Sequence, residues 1–126
     1  MINFLLVSIG GSIGACLRFF VYITTKSFLP PNYLFLHTFL VNILGSFFIG
    51  YIIMLTGNKS LSNDFTKNFI IIGILGSFTT FSTFSYETVE LLINKRFLLA
   101  FFYMFLSLFL CLLFTFFGLN LNKLIN

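Results

Sequence analysis

From Ser77 to Ser85 the chain reads Ser-Phe-Thr-Thr-Phe-Ser-Thr-Phe-Ser, six hydroxyl residues and three phenylalanines in nine positions. Hydroxyls at this density compete with the backbone for its hydrogen bonds, and Gly76 precedes them, so a helix is weak here. A helix break at bilayer depth frees carbonyls that cost several kcal/mol each unless protein, water or an ion satisfies them. Broken helices in transporters use such carbonyls to hold cations. The competing reading is a continuous helix with each hydroxyl bonded back to the preceding turn. Two further polar stripes accompany this segment. Thr38, Asn42 and Ser46 recur at i, i+4 and i+8, and Tyr103, Ser107, Cys111 and Thr115 repeat the spacing, so each set shares one helix face. A single Ser or Thr in an apolar helix reads equally as interhelical glue or as the lining of a path. Three stripes together favour a polar path, and Asn42 carries most weight because a buried carboxamide needs several partners.

Phe81 and Phe84 stand three apart among those hydroxyls, on one helix face. The positive edges of such rings can help to solvate an anion. Arg18 lies inside the first apolar stretch and has two readings: a side chain snorkelling to the interface, or a charge drawing anions to a pore mouth. His37 reads as an interfacial residue, Glu90 as solvated, and Glu87 as close enough to the polar run to act on it. Cys16 and Cys111 have no CxxC partner or neighbouring histidine, so they read as buried apolar fillers and not as a zinc or disulfide site. With one His and three acidic residues in the chain, neither a hydrolase nor a metalloenzyme is expected.

The elements that must position these residues follow from composition. Of the 126 residues 59% are hydrophobic and 8% charged, against about 25% charged in a soluble domain. A soluble monomer is excluded, and so is a disordered chain. The seven Lys and Arg are dispersed, so no nucleic-acid partner is expected. Four stretches are long enough to cross a hydrocarbon core of about 30 Å as helix: about 2–25, 34–55, 65–93 and 97–119. They make one domain over 1–126, an all-α membrane protein of four transmembrane helices with the third broken near its middle. Ile13-Gly14-Ala15-Cys16 looks like a lipoprotein cleavage box, but no basic residue precedes the apolar run and the run continues past it, so cleavage is not expected. Gly10, Gly11 and Gly14 make a small-residue face for close helix approach, and Gly45 and Gly50 offer the same on the second span. Lys59, Lys67 and Lys123 fall on one side of the membrane, and Lys26, Lys95 and Arg96 on the other. This balance leaves the positive-inside rule without a preference. Either another feature sets one orientation, or the chain inserts both ways and assembles as an antiparallel pair.

Three motifs resemble one family, the Fluc/CrcB fluoride channels. They are Gly10-Gly11-Ser12-Ile13-Gly14-Ala15-Cys16-Leu17-Arg18-Phe19, the stretch Thr38 to Phe47 around Val41-Asn42, and Gly73 to Phe84 with its Thr-Thr-Phe-Ser-Thr-Phe core. The resemblance covers essentially the whole chain. It implies a passive, fluoride-selective channel in a bacterial inner membrane that lowers cytoplasmic fluoride. It further implies an antiparallel, dual-topology dimer with a second copy of the chain or a closely related one. A structural sodium ion, not transported, would be held by the backbone carbonyls of Gly76 and Thr79. The ion pathway would use Asn42, Phe81, Phe84, Ser82, Thr83, Tyr103 and Ser107, with Arg18 in a vestibule. His37 stands where the family usually has Gly, and Ser77 where a second Gly is common. The alternatives are a four-helix drug/proton antiporter and a structural membrane subunit. The antiporter needs a carboxylate in its first span, which has none. The structural subunit needs neither Asn42 nor the hydroxyl run.

Overall fold

The computed structural model describes residues 1–57 and 63–125, and every regular element among them is helical. Lys59, counted above on one side of the membrane, lies outside the described residues. Helix α1 spans Ile2–Phe28 and α2 spans Phe35–Thr56. The third span opens as α3, wound as a π-helix over Phe65–Leu75 and closing with the α turn Gly76–Phe78. It resumes as α4, Phe81–Ile93, and α5 spans Phe97–Ile125. Four spans are long and apolar enough to cross a membrane, the third running Phe65–Ile93. At 1.5 Å per residue, 27 residues of α1 reach about 40 Å, longer than the hydrocarbon core.

The ends of the helices follow from their residues. After α1 the pair Pro30-Pro31 stops the coil, and Pro31–Tyr33 forms one 3-10 turn before α2 begins. α2 runs out at Gly57, which takes the left-handed φ of 56° that a side chain resists. α4 closes with Lys95 at φ 59°, its N–H on the Leu92 carbonyl and the next N–H, of Arg96, on the Leu91 carbonyl. Arg96 then donates Nη1 to the Asn32 carbonyl at 3.0 Å and lies 5.4 Å over the Tyr33 ring. The first and third connections therefore meet at one end of the bundle, as a four-span chain requires.

Glycines decide which helices pack closest. α1 lies against α3, with the Gly10 and Gly73 backbones so near that a Cβ on Gly73 would stand 2.9 Å from the Gly10 Cα. A Cβ on Gly14 would overlap the Ile74 carbonyl. α2 lies along α5 in the same manner, Gly50 against the Thr115 carbonyl and Gly118 against that of Phe47. Without a hydrophobic drive between helices in lipid, dispersion contacts at this range hold them together. The Thr115 hydroxyl adds a hydrogen bond to the Ser46 carbonyl at 3.0 Å.

The expectation for the cysteines is corrected. Cys16 is exposed on the outer face of α1, and Cys111 is half-buried in the wall of a cavity. α1 turns its glycines toward α3, so Cys16, two residues past Gly14, points away from the bundle.

Candidate ion pathway

The break lies at Thr79 and Thr80, just past Gly76. Gly76 is itself helical (φ −63°, ψ −32°), while Thr79 (ψ 157°) and Thr80 (φ −151°, ψ 116°) are extended. Asn42 on α2 holds the break open. Its Oδ1 accepts the Thr80 N–H at 2.8 Å, and its Nδ2 donates to the Thr80 carbonyl at 3.1 Å, so one carboxamide clamps both polar groups of one residue. In a continuous helix the Thr80 N–H would bond the Gly76 carbonyl. The Thr83 N–H, which would bond the Thr79 carbonyl, instead donates to Thr80 Oγ1 at 3.2 Å as an N-cap. The two carbonyls matched to a cation in the sequence thus both lose their i+4 donors.

The break also sets two helix ends together at the middle of the span. The C-terminal end of α3 presents carbonyls and favours a cation; the N-terminal end of α4 presents N–H groups and favours an anion. A cavity of about 320 Å³ opens beside them, with Asn42, Gly76, Thr79, Phe81, Phe84 and Ser107 in its wall. Ser107 Oγ is fully buried, with no hydrogen-bond partner among the described residues. Phe81 and Phe84 have ring centroids 5.6 Å apart at 44°, but their settings differ. Phe84 is buried against Tyr103, 5.1 Å between centroids, whereas Phe81 is 74% exposed on the open side of the chain.

Further along α4 a second cavity, of about 340 Å³, is lined by Thr83, Glu87, Glu90, His37 and Arg96 among others. Phe84 faces the first cavity, Thr83 and Glu87 the second, all within about one helical turn. Between the two lies a buried polar chain that the sequence did not announce. Glu87 Oε1 accepts from the Thr38 hydroxyl at 2.9 Å, and its Oε2 accepts from the Tyr103 hydroxyl at 2.7 Å. Tyr103 therefore lines neither cavity directly but restrains the carboxylate that does. Thr38 was visible only as a member of the α2 stripe and Glu87 only as an acid near the run. Their pairing needed the α2–α4 contact.

Ser82 is exposed, its Oγ 3.3 Å from Thr80 Oγ1, and Thr83 Oγ1 accepts from Thr80 Oγ1 at 3.0 Å. The structure thus gathers Asn42, Thr80, Ser82 and Thr83 into one hydroxyl and amide cluster. Arg18 is half-buried on α1 and lines neither of these cavities.

These features define a small multi-pass membrane protein built around a helix break, with polar groups converging on it from the neighbouring helices. The profile of the CrcB-like family (CrcB-like protein, Camphor Resistance) matches residues 5–119. The chain belongs to that family. Among curated relatives, the fluoride-specific ion channel FluC of Campylobacter hominis is 39% identical over 122 residues, covering 97% of this chain and 96% of that protein. Proteins of the same name from Gloeothece citriformis and Campylobacter jejuni are each 44% identical over 124 residues, covering 98% of this chain and 98% and 100% of theirs.

Proposed function

We propose that this chain is a fluoride-selective channel that lets fluoride leave the cell passively, down its electrochemical gradient, through a bacterial cell membrane. The observation that carries the reading is the orphaned hydroxyl of Ser107, buried in the wall of the cavity shared with Asn42 and Phe84. A buried donor without a partner costs about 1–3 kcal/mol, so a site that keeps one has a use for it. A small anion that must shed water is such a use. The N-terminal dipole of α4, the hydroxyls of Ser82 and Thr83 and the ring edges of Phe81 and Phe84 supply further positive potential. Arg18 serves as the vestibule charge. The relatives' shared name supports the choice of ion.

The functional unit is an antiparallel dimer. Phe81 and Gly76, both in the wall of the cavity, are exposed, and the balanced Lys/Arg count permits both orientations. Two chains meeting there bring four carbonyls, from Gly76 and Thr79 of each, around one sodium ion. Their diverted donors suit that group, since hard cations prefer oxygen ligands. The ion supplies fixed positive charge near the dimer axis and does not move. Purified protein in liposomes, followed by a fluoride electrode, tests the function. Fluoride efflux far above that of protein-free liposomes, with chloride retained, is the expected result. Efflux no faster than the lipid leak refutes it.

A further inference from the structure

His37 closes the buried hydrogen-bond chain at its outer end, and the chain's proton count is informative. Its Nδ1 lies on the Leu34 carbonyl, which only accepts, so Nδ1 carries a hydrogen. Its Nε2 lies 3.2 Å from Thr38 Oγ1. Thr38 has one hydrogen, and that hydrogen goes to Glu87 Oε1 at 2.9 Å. With a neutral ring, Nε2 and the Thr38 oxygen would meet lone pair to lone pair, or Thr38 would turn away and leave Glu87 short of a donor. With both ring nitrogens protonated every contact is satisfied: His37 donates to Thr38, Thr38 to Glu87, and Tyr103 to the other carboxylate oxygen at 2.7 Å. The ring is otherwise held edge-on by Tyr22, 5.1 Å between centroids, and lines the 340 Å³ cavity.

We propose that His37 is a proton-binding residue of the permeation path, so that fluoride conduction rises as pH falls. This rests on the channel reading above. Acting through Thr38, it is a positioning residue for Glu87. The imidazolium offsets the carboxylate and keeps it fixed between Thr38 and Tyr103; loss of the proton leaves an uncompensated, less restrained negative charge beside an anion's route. The groups around the ring are Tyr22 and Lys26 on α1, Tyr86, Glu87 and Glu90 on α4, Arg96 before α5 and, behind Glu87, Tyr103 on α5. A proton on Glu87 with the Thr38 hydroxyl reversed would satisfy the same contacts, but it would keep His37 neutral at every pH.

Fluoride efflux from liposomes, corrected for leak through protein-free lipid, is expected to rise roughly fivefold from pH 8 to pH 6 in the unmodified chain. His37→Gln should show the same corrected efflux at both pH values, and so should His37→Lys. Equal pH dependence in the unmodified protein and His37→Gln overturns the proposal and leaves the channel reading intact; absence of efflux at every pH overturns the channel reading itself. Should the variants fail to fold, nitrogen NMR on the unmodified dimer decides, because the chain has one histidine. The Nδ1–H tautomer at pH 8 converting to a doubly protonated ring at pH 6 is expected. A ring neutral throughout, or an Nε2–H tautomer, refutes it.

Discussion

Replacing Asn42 by aspartate preserves the shape of the side chain and one of its two hydrogen bonds. An Oδ still accepts the Thr80 N–H, but the donor to the Thr80 carbonyl, now at 3.1 Å, becomes a second acceptor. That loss costs about 1–3 kcal/mol of local stability, small enough beside about 5–15 kcal/mol for a folded domain for the chain to assemble. The charge acts differently. A sphere with the volume of the 320 Å³ cavity is about 8 Å across, and at an effective dielectric of about 20 a carboxylate on one wall repels an anion on the other by about 2 kcal/mol. Anion occupancy then falls about thirtyfold, and further at closer approach. Efflux from liposomes, with the dimer verified by size-exclusion chromatography, should drop to background. A folded, dimeric Asn42→Asp chain with undiminished fluoride efflux would remove Asn42 from the path and refute the electrostatic argument.

Sodium replaced by a large organic cation on both sides should abolish fluoride efflux, while radioactive sodium shows no transport; unchanged efflux would discard the structural ion. Thr79→Ser should be tolerated, because its hydroxyl can still bond the Leu75 carbonyl. A Cβ at Gly76 would find its nearest neighbour, the Ile71 carbonyl, at 3.6 Å, so Gly76→Val does not crowd its own chain; any fall in sodium affinity reports the partner's surface. Gly14→Val should destabilise the α1–α3 contact by about 1–3 kcal/mol, read as earlier thermal aggregation in detergent. Two lysines added beside Lys59 should bias insertion, silencing the chain alone, and co-expression with an oppositely biased variant should restore efflux. A C-terminal reporter that reads one side only in the unmodified protein would contradict dual insertion.

The spans were legible in the sequence because lipid demands long apolar runs and leaves no other way to satisfy a backbone. The break was legible for the converse reason, since six hydroxyls in nine residues cannot face lipid. It falls at Thr79 and Thr80, inside that run. Composition marks where a helix is weak, but Asn42 decides where it parts, by taking the Thr80 N–H across the α2–α3 contact. The i+4 stripes on α2 and α5 were correctly on one face each, a property of helical periodicity alone. What periodicity does not encode is which faces meet. Tyr103 shares the α5 stripe with Ser107, yet one hydroxyl is bonded to Glu87 and the other is buried without a partner among the described residues. Cys16 was misjudged for the same reason: an apolar neighbourhood in sequence does not distinguish lipid from core. The local sequence determined four helices, a weak point and the stripes of polar residues. Tertiary packing decided the clamp, the cavities and the Thr38–Glu87–Tyr103 chain, because each joins hydrogen-bonding groups 16 to 49 residues apart that only helix packing brings within 3 Å or so.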